Sequence, residues 1–255
     1  MAKTKKERSV VSKIVSWTIT VVCLAVFIYA SYGLVDAIKD YYNNRQVLSN
    51  LQDIYYESNE EDTDSKWIRS GFDSLLAENE DVVGWITVDN TQIDYPIVQG
   101  ETNNTYLYHN FYGEESRAGS IFLDFRNDIE ALDYNTIVYG HRMKDGSMFQ
   151  QLTKFMKEDF FQENRTFEFD TLYERYEAEI FAVYKTTTDF NYIQTEFDND
   201  GEFKLFLLEI MKRSEHRADV DLSDADKIIT LSTCDSGLDE LTGRLVVHAK
   251  LTKIS

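Results

Sequence analysis

Cys234, His141 and Arg244 are the three residues of this sequence whose types fit a single reaction. Thiol chemistry on a carbonyl needs a thiolate, a proton carrier, and a positive group facing the charge that develops on the attacked oxygen. Cys234 lies near the end of the run Asp226–Asp235, where apolar and polar residues alternate as in a strand. On a strand, Ile228, Thr230, Ser232 and Cys234 share one face, while Ile229, Leu231 and Thr233 share the other. His141 ends the strand-like Thr136-Ile137-Val138-Tyr139-Gly140, and Gly140 permits close backbone approach there. Arg244 follows Gly243 and opens the last strand-like run. The stretch from Cys234 to Arg244 is short enough for a hairpin loop, which would bring thiol and guanidinium to one end of a sheet. Each residue also has a plainer reading: a small inert core cysteine, a surface histidine, a surface arginine in an ion pair. His248, on the same strand face as Arg244 and Val246, is the second candidate for the proton carrier. His109 and His216 fall in polar contexts and are expected to be solvated.

The compartment bears on the thiol. Ile14 to Val35 carries no charge and is mostly apolar. At about 1.5 Å rise per residue it spans a hydrocarbon layer of roughly 30 Å. Lys3, Lys5, Lys6, Arg8 and Lys13 precede it, opposed only by Glu7, so the positive-inside bias leaves the N-terminus cytoplasmic and the remainder outside. A cleaved signal peptide is the rival, but the run is long for one and no clear small-x-small site follows. The chain has 26 basic and 45 acidic residues, and five of the basic ones lie in the first thirteen positions. So acidic an external part would be repelled by phosphates, which argues against a nucleic-acid partner. Cys23 falls within the membrane run, leaving Cys234 unpaired outside. Exported domains use cysteines in pairs, so a lone one points to a reactive thiol. No CxxC or HxxxH spacing suggests a metal, and no cofactor motif is present.

Around these residues the pattern predicts a polar stalk or helix over 36–68, mobile near its acidic stretch 57–64, and a helix over 65–78. Strands are expected at 82–88, 93–98, 119–125, 135–141, 178–187, 227–234 and 244–252, with helices at 148–161 and 201–214. Pro96, the single proline, is expected at an edge or a strand end. Strands of this length among a few helices suggest a barrel or a sandwich, mainly β. There is no βαβ rhythm and no glycine-rich phosphate loop.

Taken together, Thr230-Leu231-Ser232-Thr233-Cys234, Tyr139-Gly140-His141 and Arg244-Leu245-Val246-Val247 resemble the motifs of sortases, most closely class B. Gly119–Asn127, Tyr184–Thr188 and Asn191-Tyr192-Ile193 resemble class B sequence too. The resemblance covers roughly 65–255. It implies an eight-stranded sortase β-barrel with N-terminal helices and a helix before the cysteine strand, preceded by one transmembrane helix. The implied organisation is a cytoplasmic tail (1–13), an anchor (14–35), a stalk (36–64) and a catalytic domain (65–255). The implied reaction is transpeptidation. Cys234 attacks the threonine carbonyl of a C-terminal sorting motif on a secreted protein, and a peptidoglycan-precursor or pilin amine resolves the thioester. His141 would carry protons and Arg244 would hold the oxyanion. Leu107, Thr188, Tyr192, Ile193, Ser232, Asn103 and Asp235 would form the substrate groove. No metal and no cofactor are implied. A thiol hydrolase on the same residues, or a binding module with a structural cysteine, are the other readings. No Pro-x-Thr pentapeptide occurs, so the chain is expected to be the enzyme rather than one of its substrates.

Overall fold

The structure, a computed structural model, describes residues 3–59, 68–235, 237–239 and 241–254. The chain divides into two compact units, one ending at Asn43 and one beginning at Asn44. Helix α1 (Lys3–Asn59) supplies all of the first unit that is described and enters the second. It contains the apolar run, long and apolar enough to cross a membrane.

The second unit is built on a closed barrel of eight strands in the order β1-β2-β3-β4-β7-β8-β6-β5. In chain order these are β1 (Val82–Thr87), β2 (Asp94–Val98), β3 (Ile121–Leu123), β4 (Asn135–Tyr139), β5 (Thr166–Thr171), β6 (Arg175–Thr186), β7 (Lys227–Cys234) and β8 (Arg244–Ile254). Closure decides between the barrel and the sandwich that the pattern had left open. Two pairings are parallel, β2 with β3 and β4 with β7; the others are antiparallel. The β1–β2 hairpin turns at Asn90, whose φ of 58° is a left-handed conformation that asparagine tolerates.

Several sequence expectations change. Of the polar stalk or helix expected over 36–68, the helix is what forms through Asn59, and from Asn44 it belongs to the barrel unit; residues 60–67 lie outside the described residues. Its apolar residues Val47, Leu51, Ile54 and Tyr55 recur at helical spacing and pack with Phe72, Leu75 and Trp85. The Tyr55 ring stacks on Trp85 at 4.1 Å, and its hydroxyl donates to Asp170 at 2.6 Å. The many polar residues between these positions disguised the stripe. Of the helix expected over 65–78, residues 65–67 are not described, and the rest is a 3-10 turn at Ser70–Phe72 followed by α2 (Asp73–Glu78). The helix expected over 148–161 is a 3-10 helix (Phe149–Met156) and α3 (Glu158–Glu163), broken at the extended Lys157. The pattern had not shown β5, although Thr166-Phe167-Glu168-Phe169 alternates as a strand should. Pro96 lies inside β2, on the part of that strand that β3 does not reach.

Helix α4 (Asp200–Arg213) matches its expected position. Asn199 caps it by accepting from the Glu202 amide, and Lys212 and Arg213 end it where cations are favoured. Its Phe203, Phe206, Leu207 and Ile210 pack with Ile228 of β7 and Val246 of β8. Both faces of β7 are therefore buried from Ile228 to Thr233, and only its last residue, Cys234, is exposed.

Candidate active site

Strand pairing brings the three reactive residues to one end of the barrel. In the parallel β4–β7 pair, Tyr139 lies opposite Ser232, and the Gly140 amide donates to the Ser232 carbonyl at 3.2 Å. His141 and Cys234 each stand two residues further on. Parallel strands end on the same side, so both residues leave the sheet together. In the antiparallel β7–β8 pair, Cys234 lies directly opposite Arg244. Opposed residues on such a pair point to the same face.

All three line one open groove of about 270 Å³. Leu107, Thr188, Tyr192, Ile193, Ser232 and Asn103, which the resemblance assigned to substrate, line it as well. So do Asn104, Phe122, Tyr139 and Thr233, to which the resemblance gave no substrate role; Tyr139 and Thr233 belong to the motifs themselves, which was the available signal. Asp235, which the resemblance also assigned to substrate, does not line this groove. Its side chain is 1% exposed, pairs with Lys185 at 2.8 Å and Arg142 at 3.2 Å, and accepts from the Gly237 amide at 2.9 Å. It turns inward because its main chain closes the β7–β8 loop, its amide donating to the Gly243 carbonyl at 2.9 Å. Burial alone would raise the Asp235 carboxyl, but Lys185, the Gly237 amide and Arg142 hold it below the usual range.

His141 Nε2 lies 2.7 Å from the Leu107 carbonyl oxygen. A carbonyl only accepts, so Nε2 carries a proton and donates it. Arg244 Nη1 donates to the carbonyls of Leu241 (3.2 Å) and Gly243 (2.8 Å), so its loop steadies the guanidinium. Between them, Tyr192 shares a 2.9 Å hydrogen bond with Ser232. Burial pushes the Tyr192 phenol up; Ser232 and the Arg244 guanidinium pull against that rise, and Cys234 adds to it. The phenol thus lies within electrostatic reach of both thiol and guanidinium.

The remaining histidines are accounted for elsewhere. His248 is fully buried, with Nε2 2.8 Å from the Tyr184 hydroxyl and Nδ1 2.8 Å from the Thr230 hydroxyl. His216 pairs with Glu158 and is not solvated as expected, whereas His109 is half-buried, with Nδ1 2.8 Å from the Thr105 carbonyl. Among the described residues, no group of three or more His, Cys, Asp or Glu side chains could hold a metal ion.

An exposed thiol, an imidazole with one proton fixed and a braced guanidinium around a peptide-sized groove suit acyl transfer. Comparison with known proteins agrees. A family model described as the sortase domain matches residues 86–252. Sortase B of Listeria monocytogenes is 42% identical over 234 residues, covering 92% of this chain and 95% of that protein. Sortase B of Staphylococcus aureus is 44% identical over 188 residues, covering 74% and 77%. The crystal structure of sortase B from B. anthracis in complex with AAEK1 superposes with a TM-score of 0.79 at 48% identity, covering 85% of this chain and all of that one. The Staphylococcus aureus sortase B–substrate complex gives 0.78 at 40% identity, covering 85% and 99%. The chain belongs to the sortase family, in its class B, and is a transpeptidase acting on proteins with sorting motifs and on amine acceptors.

Proposed function

We propose that Cys234 is the nucleophile of this transpeptidase, His141 its proton carrier and Arg244 its oxyanion partner. The observation that carries the reading is the convergence of an exposed Cys234 with His141 and Arg244 on one groove. The Cys234 thiolate adds to the threonine carbonyl of the sorting motif. The oxyanion that forms is held by Arg244, and the C–N bond breaks as the leaving amine takes a proton from His141. With the Nε2 proton committed to the Leu107 carbonyl, the proton that moves is the one that Nδ1 takes from the Cys234 thiol as the thiolate forms. An incoming amine then attacks the thioester, returns a proton to Nδ1 and expels the thiolate. Two acyl transfers replace one amide exchange, and the thioester is the species that an amine can resolve.

Leu107 and Ile193 form apolar walls for the peptide, and Thr188, Tyr192 and Ser232 offer it hydrogen bonds. Asn103 contributes shape more than bonding, because its carbonyl accepts from the Phe125 amide and its NH2 donates to Asp124. Asp235 serves the site by bracing the loop between Cys234 and Arg244. The sorting motif belongs to secreted surface proteins, and the acceptor is a peptidoglycan-precursor or pilin amine. Helix α1 anchors the enzyme in the membrane, N-terminus inside and barrel outside, which the basic residues before the apolar run support.

The test uses the full-length chain in detergent, a fluorogenic library of threonine-containing pentapeptides, and an added amine. Cleavage with amine-linked product is expected, and Cys234→Ala should lower it by at least about a thousandfold. Undiminished transfer in that variant would end the assignment. Products that contain only water-derived acid at every amine concentration would favour a hydrolase on the same residues.

A further inference from the structure

Beneath the groove lies a carboxylate for which the reaction has no use. Asp124, just after β3, is 0% exposed. Its main chain is fixed: the amide donates to the Ile137 carbonyl at 2.8 Å, and its carbonyl accepts from the Gln99 side chain at 2.9 Å. Its carboxylate accepts from Arg126 twice in fork geometry, Nε to Oδ1 and Nη2 to Oδ2, both at 2.8 Å. Oδ2 also accepts from the Tyr139 hydroxyl at 2.8 Å and from Asn103 Nδ2 at 3.1 Å. The same Arg126 Nη2 goes on to donate to the Ile193 carbonyl at 3.0 Å.

Asn103, Tyr139 and Ile193 are walls of the groove, and they come from three separate stretches of chain: the β2–β3 connection, β4 and the β6–β7 connection. One buried carboxylate therefore ties together three walls that share no strand pairing with one another at these positions. Buried carboxylates persist only where their lone pairs are filled, and charge-assisted forks fix geometry as well as adding energy. Burial alone would raise the Asp124 carboxyl, but Arg126, Tyr139 and Asn103 hold it below its ordinary range, so the anion is the resident form. The β6–β7 side is held as well by Asn135 Nδ2, which donates to the carbonyls of Tyr192 (3.2 Å) and Gln194 (2.9 Å), and by the Tyr192–Ser232 bond. The Ile193 carbonyl, between those two carbonyls, accepts from Arg126.

We propose that Asp124, acting through Arg126, is the positioning residue that sets the width of the sorting-motif groove by holding Asn103, Tyr139 and Ile193 at fixed separation. It touches neither substrate nor reacting atoms, so its effect falls on peptide binding and leaves the thiol's intrinsic reactivity alone. The inference rests on the groove being the peptide site.

The experiment measures steady-state kinetics on the best-cleaved library peptide and, separately, the rate at which iodoacetamide alkylates Cys234, read by mass spectrometry. Arg126→Gln is the leading variant, because the Arg126 side chain is 37% exposed and the glutamine amide is neutral where the charged fork stood. KM should rise roughly tenfold or more, the scale of a lost charge-assisted bond, while kcat stays within about threefold. Cys234 alkylation should match wild type, while thermal stability falls, because Asp124 stays buried without its ion partner. Asp124→Asn should raise KM at least as far, and the double variant should be no worse than Asp124→Asn, since both cut one linkage. Arg126→Lys should recover only part of the loss, because one ammonium cannot fork to Asp124 and also reach Ile193. A KM within twofold of wild type in Arg126→Gln would overturn the proposal, as would a fall in the alkylation rate that tracks the loss of activity. Leu107→Ala is the control for the groove itself. Unchanged KM there would bring down the groove reading, and this inference with it.

Discussion

Strands β7 and β8 carry two facing pairs of polar residues on one face, and the two pairs have opposite fates. At the open end Cys234 faces Arg244; four residues further in, Thr230 faces His248. The outer pair borders the groove, whereas the inner pair is 0% exposed. Thr230 donates its single proton to Asn135 Oδ1 at 2.6 Å, so toward His248 it can only accept. His248 Nδ1 therefore bears the hydrogen, Nε2 is a bare acceptor, and the Tyr184 hydroxyl donates to it. Burial pushes the His248 pKa down to about 3. Such an imidazole is neutral, with both nitrogens occupied, and has no proton to exchange near pH 7. His141 keeps one nitrogen on a carbonyl and stands at the groove. Two rings of one residue type thus differ through their surroundings: one braces the interior, and the other borders the groove.

That contrast is open to direct attack. The largest difference should come from the two histidines assayed side by side. His141→Ala should lower kcat by about a thousandfold, within the range of lost acid–base catalysis, with little change in thermal stability. A drop below tenfold would remove His141 as proton carrier. Next, Arg244→Ala should lower kcat/KM by about a hundredfold, the cost of an oxyanion donor. Arg244→Lys should recover part of that, because charge survives and the fork does not. Full activity in Arg244→Ala would leave the outer pair without its electrostatic half.

The inner pair predicts the smallest kinetic effect and a different observable. His248→Gln should keep kcat per folded molecule within about threefold while costing about 1–3 kcal/mol of stability at pH 7, as buried hydroxyls lose partners. The acid dependence has a definite sign. Unfolded, this histidine titrates near its ordinary value of about 6.5, and folded at about 3. Between those values the unfolded chain binds more protons, so stability falls as pH drops through that window, by up to about 1.4 kcal/mol per pH unit from this residue. Denaturant titrations at pH 7 and pH 4 should show that slope in wild type and a shallower one in His248→Gln. Equal slopes would mean that His248 is not held neutral by the fold.

Residue patterns reached most strands because apolar side chains that alternate on a half-buried surface leave a period of two. They reached α4 because its four buried residues keep helical spacing and its cap is written locally in Asn199 and Glu202. They missed β5, whose short Thr166–Thr171 lies among other signals, and the packing of Val47, Leu51 and Tyr55, whose stripe is interrupted by polar neighbours. Motif likeness named Leu107, Thr188, Tyr192, Ile193 and Ser232, which line the groove, and Asp235, which does not. Adjacency to Cys234 along the chain does not say which way a side chain turns at a loop closure.

By itself the sequence determined the family, the apolar N-terminal run and the three residue types needed for thiol acyl transfer, since composition and motif order are properties of the chain alone. Only the tertiary structure decided which residues meet. A parallel β4–β7 pair ends two distant strands at one rim, an antiparallel β7–β8 pair sets thiol opposite guanidinium, and a buried carboxylate draws three stretches into one groove. Those are relations across space between residues up to about a hundred positions apart, and strand pairing and burial, which no local pattern encodes, create them.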